Sequence, residues 1–144
     1  MQVILAQNRG MCFGVRKALD TAISAAEENS SRPGHEKKRT LTYGPLVHNK
    51  DVVHDLESRG ISIAESHDSI SEGDIVIIRA HGISDNELGS IKQKGAEVID
   101  ATCPFVSRAK KAAKELEAEG RRVFILGQKD HPEVRGIAES LESP

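Results

Sequence analysis

Ala96-Glu97-Val98-Ile99-Asp100-Ala101-Thr102-Cys103-Pro104 is the stretch on which the fold of this 144-residue chain turns. A short, largely apolar run ends at Ile99. Pro104, whose fixed φ suits the first helical position, opens a segment with apolar residues at helical spacing. Cys103 is therefore expected where a strand ends and a helix begins. In an open α/β sheet, ligands bind in the crevice beyond the carboxyl ends of the strands. A thiol beside a helix N-terminus also has its thiolate stabilised by the positive end of the helix dipole. The other cysteine has a similar setting: Val3-Ile4-Leu5-Ala6 precedes Gln7-Asn8-Arg9-Gly10-Met11-Cys12-Phe13-Gly14, a glycine-flanked turn at the mouth of another helix. The two cysteines, distant in sequence, are expected to meet at one edge of one sheet.

Outward from this stretch, short apolar runs alternate with helical periods. Strands are predicted at Val3–Ala6, Leu41–Tyr43, Ile61–Ile63, Ile75–Ile78, Glu97–Ile99 and Val123–Leu126, several of them β-branched runs suited to a parallel sheet covered on both faces. The first helix is predicted over Phe13–Glu28, with Val15, Ala18, Leu19, Ala22, Ile23 and Ala26 in one stripe. Asn29–Thr40 reads as a solvated loop. A second helix, Lys50–Arg59, stops at Gly60. A third opens with the capping box Ser84-x-x-Glu87 and closes at Gly95. The fourth runs from Pro104 to Gly120, and a last one, weakened by Gly136, starts at Pro132. The alternation predicts an α/β fold: an open parallel sheet with helices on both faces and right-handed crossovers.

Composition narrows the function classes. Net charge is −2 with 29% charged residues, so no basic surplus calls for nucleic acid, and one Tyr, three Phe and no Trp leave few stacking platforms for single strands. No apolar run approaches the roughly 20 residues a bilayer span needs, and no signal-peptide core follows Met1, so a cytoplasmic protein without membrane partners is expected. In a reducing cytosol two cysteines are free, metal-bound or redox-active rather than a structural disulfide.

The unusual polar residues fall just after predicted strands. Cys12 follows the first, His48 the second, His81 the fourth and Cys103 the fifth. After the sixth, His131-Pro132-Glu133 places an imidazole and a carboxylate at a helix mouth. Singly, each has a bland explanation: an inert buried thiol, a capping histidine, an acidic first turn. Together they point to one site. Histidines and helix N-termini suit an anion such as a phosphate, two thiolates can ligate iron or zinc, and a glutamate near a histidine can move protons. Neither Gly-x-Gly-x-x-Gly nor a P-loop is present. A zinc site made by Cys12, Cys103 and a histidine is the alternative reading of the same residues. His35, His54 and His67 receive no role.

Gly10-x-Cys12-x-Gly14-Val15-x-x-Ala18, His48-Asn49, Ala80-His81-Gly82, Asp100-Ala101-Thr102-Cys103-Pro104-x-Val106 and His131-Pro132-Glu133-Val134-x-Gly136 together resemble the hydroxymethylbutenyl diphosphate reductase family, in its order and across the whole chain. The resemblance covers only the family's N-terminal portion. It implies one complete α/β domain of a three-domain trefoil, residues 1–102, and the opening of a second, residues 103–144. It further implies a [4Fe-4S] cluster with Cys12 and Cys103 as two of three cysteine ligands, the third having no counterpart here. His48 and His81 would bind the diphosphate, His131 would line the substrate pocket and Glu133 would deliver protons. The implied reaction is reductive dehydroxylation to isopentenyl and dimethylallyl diphosphates, with electrons from a donor such as ferredoxin or flavodoxin.

Overall fold

The computed structural model describes residues 2–7 and 9–142. Its centre is a four-stranded, all-parallel sheet of β1 (Thr40–Tyr43), β2 (Ile61–Ala64), β3 (Ile75–Ile78) and β4 (Glu97–Asp100), in the order β2-β1-β3-β4. Five α-helices accompany it among the described residues: α1 (Phe13–Ser30), α2 (Lys50–Ser58), α3 (Asp85–Gln93), α4 (Pro104–Ala118) and α5 (Pro132–Ala138).

Alternation along the strands builds two cores. Ile61 and Ile77 face one side with Ala18, Ala22, Ala25 and Ala26 of α1 and Leu56 of α2, and the small alanines let α1 lie close to the sheet. Leu41, Tyr43, Val76 and Ile78 face the other side with Ile91 of α3. Helices on both faces satisfy a sheet whose central strands are apolar on both sides. A third, smaller cluster stands apart, with Ala113, Ile137 and Leu141 packed by Val123 and Ile125.

The predicted capping box is present: Ser84 N–H donates to Glu87 Oε2 at 3.0 Å and Glu87 N–H donates to Ser84 Oγ at 3.2 Å. The segment before β1 is more anchored than a solvated loop. Asn29, buried in the last turn of α1, donates to Lys38 O at 2.7 Å and accepts from Lys38 N at 3.0 Å.

Two predicted strands are corrected. Val3–Ala6 and Val123–Leu126 are not paired into the sheet. Val3, Ile4 and Leu5 are exposed, as are Phe124 and Leu126, while Val123 and Ile125 turn toward α4 and α5. A four-residue apolar run carries no period that separates strand from coil, so pairing decides, and neither run has a neighbouring strand here. Cys12 is consequently delivered by the start of α1 and not by a strand end.

Candidate active site

The strand order reverses between β1 and β3: the chain leaves β1 toward β2 on one side and β3 toward β4 on the other. Such a reversal opens a crevice at the carboxyl ends of the strands. Tyr43, Ala64, Ile78 and Asp100 end their strands at one level, so the loops that follow rise from a common edge.

From β1, buried Leu46 and Val47 anchor a loop that exposes His48. Asn49 caps α2 there by accepting the amides of Asp51 and Val52. From β3, Gly82 N–H donates to Arg79 O at 2.9 Å and closes a turn carrying His81; Gly82 sits at φ +72°. His131 caps α5, its Nδ1 accepting the Glu133 amide at 3.3 Å, which leaves the proton of the neutral ring on Nε2. The three imidazoles gather: ring centroids are 4.9 Å apart for His48 and His81, and 5.6 Å for His81 and His131. His81 Nδ1 is buried without a hydrogen-bond partner. Burial above all, then the charges of His48, Arg79 and His131, lowers the His81 pKa from 6.5 to about 4, so the ring is neutral at pH 7.

Beyond β4, the pairing with β3 continues past the strand. Cys103 N–H donates to Ala80 O at 2.9 Å, tying the cysteine to the turn of His81, and Cys103 is the N-cap of α4. Cys12 is the N-cap of α1. Gly14, in the first turn of α1, joins the two: a Cβ on Gly14 would lie 2.4 Å from Cys103 Sγ. The thiol therefore fills the space a side chain at position 14 would need, and α1 carries Cys12 to the same edge. Cys12 is exposed and Cys103 half-buried. Among the described residues no three His, Cys, Asp or Glu side chains form a metal-binding set.

Two cavities open among these residues. One, of about 550 Å³, is lined by His48, His131 and residues 128–130, and the other, of about 620 Å³, by His81, Asp100, Thr102, Val106 and the lysines of α4. The smaller is bordered by the imidazoles of His48 and His131; His81 borders the larger, which is predominantly apolar. His35, His54 and His67 have exposed side chains at the surface.

Sequence reasoning passed over two residues. Gly14 was legible as an oddity, since glycine inside a helix costs about 1 kcal/mol against alanine and asks for a reason. Arg79, within Arg79-Ala80-His81-Gly82, carried no pattern that announces its packing.

Fold and site together define a doubly wound α/β protein with thiols and imidazoles at one sheet edge. The chain belongs to the LytB protein family, whose model matches residues 3–143. It is 40% identical over 144 residues to the 4-hydroxy-3-methylbut-2-enyl diphosphate reductase of Geobacter sulfurreducens, covering 100% of this chain and 48% of that protein. It is 44% identical over 137 residues to the reductase of the same name from Pelobacter propionicus, covering 95% of this chain and 46% of that protein. Among solved structures, (E)-4-hydroxy-3-methyl-but-2-enyl diphosphate reductase, described as the terminal enzyme of the non-mevalonate pathway, superposes with a TM-score of 0.82 at 36% identity, covering 96% of this chain and 46% of that one. The E-1-hydroxy-2-methyl-but-2-enyl-4-diphosphate reductase from Plasmodium falciparum superposes with a TM-score of 0.84 at 30% identity, covering 93% and 40%. The chain thus spans about half the length of the curated relatives it matches and corresponds to their N-terminal portion. No helix among the described residues is long and apolar enough to cross a membrane.

Proposed function

We propose that this chain is the N-terminal part of an iron–sulfur reductase that converts 4-hydroxy-3-methylbut-2-enyl diphosphate to isopentenyl and dimethylallyl diphosphates. The observation that carries the reading is the gathering of His48, His81 and His131 at the strand-order reversal, with Cys12 and Cys103 capping two helices at the same edge. In this reading residues 1–102 are the first α/β domain and residues 103–144 the opening of a second, which contains the apolar run Val123–Leu126. The setting is cytoplasmic, and ferredoxin or flavodoxin supplies electrons.

The donor set fits part of a [4Fe-4S] site. Thiolates are the ligands such a cluster takes, and Gly14 leaves Cys103 Sγ a fixed berth against α1. Cys12 and Cys103 are two ligands and a further one must come from outside this chain. When bound, the cluster supplies electrons and an open iron that polarises the substrate hydroxyl.

The chain's own residues do the rest. The buried, unpaired Nδ1 of His81 costs roughly 1–3 kcal/mol in the free protein, and a ligand hydrogen bond offsets that cost. His48, exposed beside it, and His81 hold the diphosphate. His131, held by its cap contact through Nδ1, lines the substrate pocket. Glu133, in the first turn of α5, delivers a proton to the departing hydroxyl, which leaves as water; two electrons and two protons balance the reaction.

The test is Glu133→Gln in a complete reductase bearing this half. Turnover is expected to fall by about 10² or more with KM nearly unchanged. Near-normal turnover would remove Glu133 from the chemistry.

A further inference from the structure

The crevice between β1 and β3 contains one large side chain that neither the cysteines nor the histidines account for. Arg79 follows Ile78 directly, and Gly44 follows Tyr43, the register partner of Ile78, so the two stand opposite each other where the strands end. Gly44 is held at φ +69°, and a Cβ there would lie 2.7 Å from Arg79 Nη1 and 3.5 Å from Cζ. The guanidinium occupies the room that any other residue at position 44 would fill. Arg79 is half-buried, and its Nε is buried without a hydrogen-bond partner. Burial lowers its pKa, the charges of Glu87 and Tyr43 counter that, and Arg135 adds to it.

Both histidine turns depart from this contact. Gly44 leads through Pro45 and the buried Leu46 and Val47 to His48. Arg79 O accepts the Gly82 amide that closes the turn of His81. We propose that Arg79 is a positioning residue for the histidine cluster: its guanidinium, seated on Gly44, sets the His48 turn against the His81 turn. A flat, rigid and permanently charged group suits a shallow seat over a glycine, whereas an ammonium on a flexible stem cannot fill it. The functional weight of the brace rests on the diphosphate reading above.

The test uses this chain with labelled histidines. In the wild type, nuclear Overhauser cross-peaks should join the rings of His48 and His81 and those of His81 and His131. Arg79→Lys and Arg79→Met are expected to lose most of the first cross-peak and keep the second, with thermal unfolding confirming a folded chain. An unchanged first cross-peak, or equal loss of both, overturns the proposal. If Arg79→Met fails to fold, Arg79→Lys decides, because it keeps a positive charge opposite Glu87. Inorganic pyrophosphate, added to the same samples, separates the two readings. If it leaves the wild-type rings unperturbed, the diphosphate reading fails while the brace is still judged by the cross-peaks. If it perturbs them, Arg79→Lys is expected to raise the apparent Kd about tenfold, the order of loss that follows a small misplacement of binding groups.

Discussion

Ile75–Ile78 and Val123–Leu126 are alike in composition and opposite in fate. Ile75, Val76, Ile77 and Ile78 are all buried, with β1 on one side and β4 on the other. In Val123-Phe124-Ile125-Leu126, alternate residues pack on α4 and α5, while Phe124 and Leu126 are 80% and 98% exposed. The second run has the two-residue period of a strand and packs one face as a strand would. What it lacks is a neighbour. Fixing a residue's backbone costs about 1–2 kcal/mol, and a lone extended run has only one face to bury and a ladder of amides left to water. An apolar run states a demand for burial; the strands beside it decide whether the demand is met.

Core truncation should give the largest contrast. Ile77→Ala, at a fully buried position, is expected to cost about 2–5 kcal/mol, whereas Leu126→Ala should stay within about 0.5 kcal/mol of wild type. Urea unfolding of both variants checks this, and comparable losses would break the contrast. The same pair sharpens the proposed domain division. In a full-length reductase with this N-terminal half, where Leu126 would gain a strand beside it, Leu126→Ala should cost about 2 kcal/mol or more. A cost still near zero would count against residues 103–144 as the opening of a second domain.

The next effect lies where α1 meets the start of α4. Gly14→Ala sets a methyl 2.4 Å from Cys103 Sγ and 3.1 Å from its Cβ. Overpacking of this kind costs about 1–3 kcal/mol, against a gain of up to about 1 kcal/mol from alanine's helix propensity. A net loss near 1–2 kcal/mol is expected by urea unfolding. Removing the sulfur should relieve most of it, so Gly14→Ala with Cys103→Ala is expected to be more stable than the sum of the single changes predicts. Strict additivity would mean that Cys103 does not press on α1.

Much of this was legible in the sequence. The unbroken runs at β1 and β3, the capping box at Ser84 and the proline at the start of α4 fixed four strands and five helices to within two residues at most ends. The convergence of His48, His81 and Cys103 on one edge was also readable, because residues that follow parallel strands share an edge whatever the strand order; Cys12 and His131 reach it without the paired strands expected before them. The order itself was not, and with it the reversal between β1 and β3 that brings His48 beside His81. Nor were the partners of Gly14 and Arg79, which make shape contacts between segments far apart in sequence. The outer runs at Val3–Ala6 and Val123–Leu126 were misread because pairing is set by neighbours outside the run.

The smallest effect concerns His81, which lies against His131. Burial first, and then the neighbouring charges, pulls His81 from 6.5 to about 4. Here a base binds its proton less readily in the folded chain than in the unfolded one. Above pH 6.5 the ring is neutral in both states and contributes no pH dependence. As pH falls from about 6.5 toward 4, the unfolded chain takes up a proton that the folded chain refuses, so the unfolded state binds more protons and stability falls. Below about pH 4 both forms are charged and the penalty stays constant. The lowered carboxylates Asp74, Asp85 and Glu97 act below about pH 5. Their ordinary values are 3.8, 3.8 and 4.5, and their stabilisation is lost only as pH falls below those values. Between about pH 5 and 6.5 a fall in stability on acidification is therefore expected in the wild type and reduced in His81→Gln, read from urea midpoints at half-unit steps. Parallel curves would mean that His81 takes up its proton as freely folded as unfolded.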